Sequence, residues 1–431
     1  MREACKCAHV DSQNLVVVAA ILLVYAALSR HLQGSSVTAP MVFVILGFLT
    51  GSEVLGWLDL EIGHDAISAL AEATLVVVLF TDASRIDLGA LRHDFALPAR
   101  LLGVGLPLTI LAGAVFAAGV IPDVTWAEAL VLAVILAPTD AALGQAVVTD
   151  ENVPARIRQA LNVESGLNDG LCVPLLTIAL AIAQTDAGAM NGRHAVRLVA
   201  EAIGWGVFGG VVAGVIAGLV LRAANDRGWI EKHWAQVIPL IAAAGSFAIA
   251  DALGGSGFIA AFVGGAVFGA ASGRHLDIAA FSEELGGLLN GITLIVFGAA
   301  VLGGVWSDID ARDVLYAVLS LTVVRMVPVA IAMIGSKART PTVLFLGWFG
   351  PRGLASIVFG VVVIEAAGLP HTDDVVVALT VTIALSVIAH GITAAPLARR
   401  YAAWHNARNA PMEGKLTTTQ RWRHAPVAAR S

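Results

Sequence analysis

Apolar stretches of about twenty residues, the length that crosses the hydrocarbon core of a bilayer, follow one another along the whole chain with short polar interruptions. They predict helices near 14–30, 37–56, 63–82, 96–120, 127–149, 157–183, 198–221, 235–253, 256–272, 284–304, 313–335, 341–367 and 373–398. This is the pattern of an all-α polytopic membrane protein with about 13 transmembrane helices. The first segment reads as a retained helix rather than a signal peptide, because its N-terminal flank is barely charged and no small-residue cleavage site follows. Residues 1–398 form a single transmembrane unit in this reading, and 399–431 a short cytoplasmic tail.

Two segments carry interruptions that an ordinary membrane helix avoids. The fifth holds Pro138-Thr139-Asp140, and the twelfth holds Gly347-Trp348-Phe349-Gly350-Pro351-Arg352-Gly353. Proline removes a backbone donor and the glycines weaken the helix, so discontinuous helices are expected at 5 and 12. The two lie seven segments apart, and an odd offset reverses the direction of entry into the membrane. That predicts two inverted-topology repeats whose broken helices cross near the midplane, the place where secondary transporters bind their substrates.

Composition sharpens the class. Hydrophobic residues make up 58% of the 431 and charged residues 13%, against about 25% charged in soluble domains. A mean hydropathy of +0.82 excludes a soluble enzyme, a disordered chain and a secreted disulfide scaffold. Cys5, Cys7 and Cys172 offer only a lone C-x-C, too little for zinc or a disulfide framework. The net charge of −6 comes without a basic block, so no nucleic acid partner is expected. No Walker motif occurs, which leaves an ion gradient as the energy source. Alternate loops and the tail collect nineteen Lys and Arg on one side and five on the other, placing the C-terminus in the cytoplasm and the N-terminus outside. The remaining two basic residues, Arg325 and Arg352, fall inside predicted helices.

Intramembrane charges cost several kcal/mol and mark function by default. The sixth segment carries Glu164-Ser165-Gly166-Leu167-Asn168-Asp169-Gly170. Helical spacing puts Asn162, Ser165, Asp169 and Cys172 on one face, with Glu164 and Asn168 an i, i+4 pair beside it. Ser165 and Asn162 serve equally well as structural ties between helices. Asp169, within two turns of a second carboxylate and on a stripe of neutral oxygens of the kind hard cations prefer, is the candidate for chemistry. Glu164 is expected to form a structural ion pair with Arg325, and Arg352 to balance partial charge where the broken helices cross. Glu72 either lines an ion funnel or pairs locally. His390 reads as local packing or pH tuning. Gly206, Gly210, Gly214 and Gly218 form a close-packing face, and Trp57, Trp126, Trp229, Trp234 and Trp306 are interfacial anchors.

Together, Pro138-Thr139-Asp140, Glu164-Ser165, Asn168-Asp169, Arg325 and Gly350-Pro351-Arg352-Gly353 resemble the monovalent cation:proton antiporter family, specifically its NhaP-like sodium/proton exchanger branch. The resemblance extends to Thr38-Ala39-Pro40 through Gly51 and to Leu79-Phe80 through Asp87-Leu88. It implies a homodimer in which core helices, about 96–183 and 313–398, move against scaffold and dimerisation helices, about 14–82 and 198–304. It further implies that Asp169 is shared by cation and proton, and that Thr139, Asp140, Ser165 and Asn168 complete the ion site. Asp169, Thr139 and Ser165 would be direct ligands of the monovalent cation. Asn168 before Asp169 implies electroneutral exchange. The cargo is Na+ in this reading, with K+ or Li+ as alternatives, against H+; no cofactor is expected. A potassium/proton antiporter of the same fold is the main alternative, and a cation channel a more distant one. The short tail and the lack of targeting signals suit a bacterial inner membrane.

Overall fold

The computed structural model describes residues 12–32, 35–60, 65–85, 96–140, 143–148, 150, 152–188, 190–273, 279–365 and 369–408. Fourteen helices organise them: α1 Ser12–Leu32, α2 Ala39–Thr50, α3 Asp65–Ser84, α4 Ala96–Val120, α5 Trp126–Ile135, α6 Ala155–Asp186 and α7 Gly192–Asp226. They continue as α8 Lys232–Ala252, α9 Gly257–Ala271, α10 Ala280–Leu302, α11 Ala311–Ala332, α12 Thr340–Trp348, α13 Leu354–Glu365 and α14 Thr372–Arg408. Every one of the thirteen apolar segments carries helix. Among the described residues nine helices are long and apolar enough to cross a membrane, and α2, α5, α9 and α13 are shorter apolar helices. Asp87-Leu88, Cys5, Cys7 and most of the tail lie outside the described residues.

Two groups of helices pack within themselves. In one, α7 lies against α9, α9 against α3 and α8, and α10 against α2 and α3. In the other, α4 lies against α5 and α11, α5 against α6, and α11 against α12 and α14. The groups meet where α13 and α6 touch α3, α6 touches α7 and α9, and α14 touches α2. Helix α1 packs on α2 and α10, its Tyr25 ring set edge-on against Phe43, and is exposed along most of its length. An apolar helix exposed in this way needs lipid or a partner to cover it.

The glycine stripe of α7 has a local occupant. A Cβ at Gly206, Gly210 or Gly214 would meet the backbone oxygens of Ser256, Ala260 and Gly264 on α9, so the stripe brings these two helices together inside one chain. The five tryptophans are all more than half exposed at or near helix ends.

Three departures from straight helix lie near the centre. Helix α4 contains a π turn at Leu101–Gly105, just before Pro107, whose missing N–H frees a carbonyl four residues back. Helix α10 ends in a second π turn, Phe297–Leu302. Helix α11 is interrupted at Thr322, with φ −109° and ψ −87°, six residues before Pro328, which lies inside the piece that resumes at Val323.

Candidate functional site

Helix α5 stops at Ile135, and residues 136–140 run without helix before the short turn Gln145–Val148. Helix α12 stops at Trp348, and residues 349–353 run without helix before α13 begins. Neither half-helix of the pair could span a bilayer alone at 1.5 Å per residue. The two breaks cross and bond to each other. Asp140 N donates to Pro351 O at 2.8 Å, and Leu354 N donates to Asp140 Oδ2 at 3.1 Å. Arg352 Nη1 donates to Ala137 O and Pro138 O at 3.2 and 3.3 Å, and Ser356 Oγ to Ile135 O at 2.7 Å.

These contacts solve an electrostatic problem. The end of α5 presents unpaired carbonyls with partial negative charge, and the start of α13 presents unpaired N–H groups with partial positive charge. A fully buried guanidinium, Arg352, meets the first; a carboxylate, Asp140, meets the second. Gly353 permits the close approach, since a Cβ there would run into the Asp140 carboxylate. Gly353→Ala is therefore expected to push Asp140 off the Leu354 N–H, destabilise the protein by about 1–3 kcal/mol and reduce transport. Thermal unfolding in detergent checks the first part; an unchanged midpoint would show that the crossing tolerates the methyl group.

Helix α6 faces the crossing with its polar stretch. Ser165 Oγ donates to Thr139 O, and Asn168 Nδ2 donates to Thr139 Oγ1 at 2.8 Å. Thr139, Ser165 and Asn168 are buried. Three buried oxygens of α6 have no hydrogen-bond partner among the described residues: Glu164 Oε2, beside Arg325, and, next to the crossing, Asn168 Oδ1 and Asp169 Oδ1. Buried acceptors are rarely left so. Asp169 is also within electrostatic reach of two other carboxylates, Asp140 and Asp82. Cys172, one turn further on, is buried, while Asn162 is only partly so.

Glu164 points elsewhere. Its Oε1 lies 2.6 Å from Arg325 Nη2, both side chains being 2% exposed. The Arg325 guanidinium lies against Gly350, where a Cβ would come within 2.5 Å of its Nε. Helix α6 thus presents Ser165 and Asn168 to the break after α5, and Glu164 to α11 and the break after α12.

Asp82 is the residue that sequence reasoning passed over. It closes the third apolar segment, where a charge ordinarily reaches interfacial water. Instead it lies beside α6, its Cβ 3.8 Å from where a Cβ on Gly166 would sit, and it acts electrostatically on both Asp140 and Asp169. One turn beyond, Arg85 forms an ion pair with Glu283 of α10. Glu72 is half-buried on α3, closer to its start.

At the start of α5, Thr125 and Glu128 close a capping box. Glu128 also accepts from His371 N at 2.9 Å and lies 3.0 Å from His371 Nδ1, tying the start of α5 to the start of α14.

Residues 17–400 match the family described as sodium/hydrogen exchanger, transmembrane. The chain is 24% identical over 397 residues to the K(+)/H(+) antiporter NhaP of Alkalimonas amylolytica, covering 90% of this chain and 67% of that protein. It is 27% identical over 353 residues to the Na(+)/H(+) antiporter NhaP of Pseudomonas aeruginosa, covering 76% and 79%. Its fold matches the structure of the sodium proton antiporter MjNhaP1 from Methanocaldococcus jannaschii with a TM-score of 0.71 at 18% identity, over 88% of this chain and 99% of that one. With apolar helices throughout and a family match over nearly its whole length, this integral membrane protein belongs to the sodium/hydrogen exchanger family, a family of cation/proton antiporters rather than enzymes.

Proposed function

We propose that this antiporter exchanges Na+ for H+ by competition at the single carboxylate Asp169, with Thr139 and Ser165 as further cation ligands and Asp140 and Asn168 shaping the site. The observation that carries the reading is that Asn168 and Asp169 each leave a buried oxygen, Oδ1, without a partner beside the crossing of two broken helices, while the third such oxygen of α6, Glu164 Oε2, lies at the Arg325 ion pair. A buried carboxylate is costly when charged and alone. A proton removes the charge; a dehydrated cation held by neighbouring oxygens compensates it. One site neutralised by one ligand or the other couples the two fluxes without further machinery. Asp82, close to both Asp140 and Asp169, is an auxiliary carboxylate that draws the cation toward the site.

Helices α4–α6 and α11–α14 act as the moving core, and α1–α3 with α7–α10 as scaffold and dimerisation surface. The crossing of the two breaks, each followed by one long helix, supports an inverted repeat of two such units. In this reading all thirteen apolar segments span the membrane. The N-terminus lies outside and the C-terminus inside, as the Lys and Arg distribution favours, in a bacterial inner membrane and as a homodimer. Exchange is electroneutral, because Asp169 is preceded by Asn168 and a single proton replaces a single cation.

Potassium is the second reading, since relatives of comparable similarity are named for Na+ and for K+. Proteoliposomes holding an imposed pH gradient separate them: the transported ion, added as Na+, Li+ or K+, collapses the gradient, and an imposed membrane potential leaves the rate unchanged. Collapse by none of the three defeats the proposal. Conduction without a counter-flux of protons assigns a channel.

A further inference from the structure

The break after α12 is held by a polar ladder on α14. Ser386, His390 and Thr393 lie at i, i+4 and i+7, one face of that helix. Arg352 N donates to Ser386 Oγ at 2.7 Å, His390 Nε2 lies 2.9 Å from Trp348 O, and Trp348 Nε1 donates to Thr393 Oγ1 at 2.9 Å. Two of these contacts are to backbone groups at the end of α12 and in the break, Trp348 O, which also accepts from Gly350 N at 2.8 Å, and Arg352 N; the third is to the Trp348 indole. Ser386 and His390 are fully buried.

Trp348 O can only accept, so its contact is a hydrogen bond when His390 Nε2 carries the proton. Ser386 Oγ already accepts from the Arg352 N–H, and its own proton is free to reach His390 Nδ1 at 3.1 Å. A neutral imidazole protonated on Nε2 therefore satisfies the hydroxyl, Trp348 O and the ring together. Ser386 O, 2.9 Å from Nδ1, is a second acceptor; an Nδ1–H ring would bond it within α14 and leave Trp348 O to Gly350 N alone, so only the Nε2–H form ties α14 to the break. The charged groups acting on the ring are Arg352 and Arg325, so a neutral ring adds no third positive charge to them.

The arrangement mirrors that at the other break. There Ser165 of α6 bonds Thr139, the residue after Pro138, and Asp169 follows four residues later. Here Ser386 of α14 bonds Arg352, the residue after Pro351, and His390 follows four residues later. The corresponding helix thus places a hydrogen-bonded imidazole where α6 places a carboxylate with one buried oxygen unpartnered.

We infer that His390, as a neutral Nε2–H imidazole relayed through Ser386, is a positioning residue that splints the α12–α13 break and so holds Arg352 over the carbonyls of Ala137 and Pro138. It carries no proton in the exchange cycle. The effect on transport rests on the proposed ion site at this crossing; the splint itself does not, and hydrogen exchange of the backbone reads it directly.

The test compares His390→Ala and His390→Gln with the full-length protein in proteoliposomes. Loss of the bond from α14 to Trp348 O is expected to speed amide exchange over residues 349–354 about tenfold in His390→Ala. The apparent cation KM should rise by a similar factor while the maximum rate and the shape of the pH profile persist. His390→Gln, which keeps an N–H for Trp348 O, is expected to restore most of the protection. Unchanged amide exchange in His390→Ala overturns the splint. A shifted pH profile or abolished exchange in His390→Gln, with amide protection retained, overturns the positioning role in favour of a proton carrier. If the unsubstituted protein moves no cation, the proposed function fails while the amide exchange result still decides the splint.

Discussion

Asp169→Asn is expected to abolish cation/proton exchange and to leave the protein as stable as before, or more so. The amide keeps the size and shape of the carboxylate but neither binds a proton near neutral pH nor offers a charge to a cation. Stability is expected to hold because the native carboxylate is a liability. One of its oxygens is buried without a partner, and Asp140 and Asp82 add like charge nearby. Sites that carry such strain commonly gain stability when function is removed. Fluorescence of a pH reporter in proteoliposomes and the thermal midpoint in detergent measure the two parts. Wild-type exchange in the variant would remove Asp169 from the mechanism, and a fall in stability would show the carboxylate to be satisfied by contacts that the amide loses.

The largest loss of stability is expected from Arg325→Ala. It leaves Glu164 charged and alone at a site where both side chains are almost wholly buried, a change that costs about 3–5 kcal/mol in comparable pairs. It also removes the guanidinium that covers Gly350 at the break. Replacing both partners, as Glu164→Gln with Arg325→Ala, is expected to cost well under the sum of the two single changes, because no buried charge is then stranded. Thermal unfolding across the four proteins measures the coupling. Additive losses would mean that the two residues act independently despite their 2.6 Å contact.

The helical plan was legible in the sequence because a bilayer demands long apolar stretches and little else. The breaks at 136–140 and 349–353 were legible for a related reason: Pro and Gly are the residues that a continuous helix excludes. Finer features were not. The partners of Arg352 are backbone carbonyls of Ala137 and Pro138, which leave no mark on side-chain pattern. Asp82 looked like a helix-end charge, since nothing local shows that a neighbouring helix closes over it. His390 read as local packing because its role is set by Trp348 and, through Ser386, by Arg352, residues far away in the chain. The interruption of α11 at Thr322 likewise has no proline or glycine at the position itself.

Competition between proton and cation at one carboxylate is the central claim, and the apparent KM for the transported cation, measured in proteoliposomes as a function of pH, tests it most directly. The account predicts that KM rises by up to about tenfold for each unit of acidification on the side from which the cation binds, as mass action at a shared site requires. A KM that stays constant across a pH range in which the rate changes would place proton and cation at separate sites.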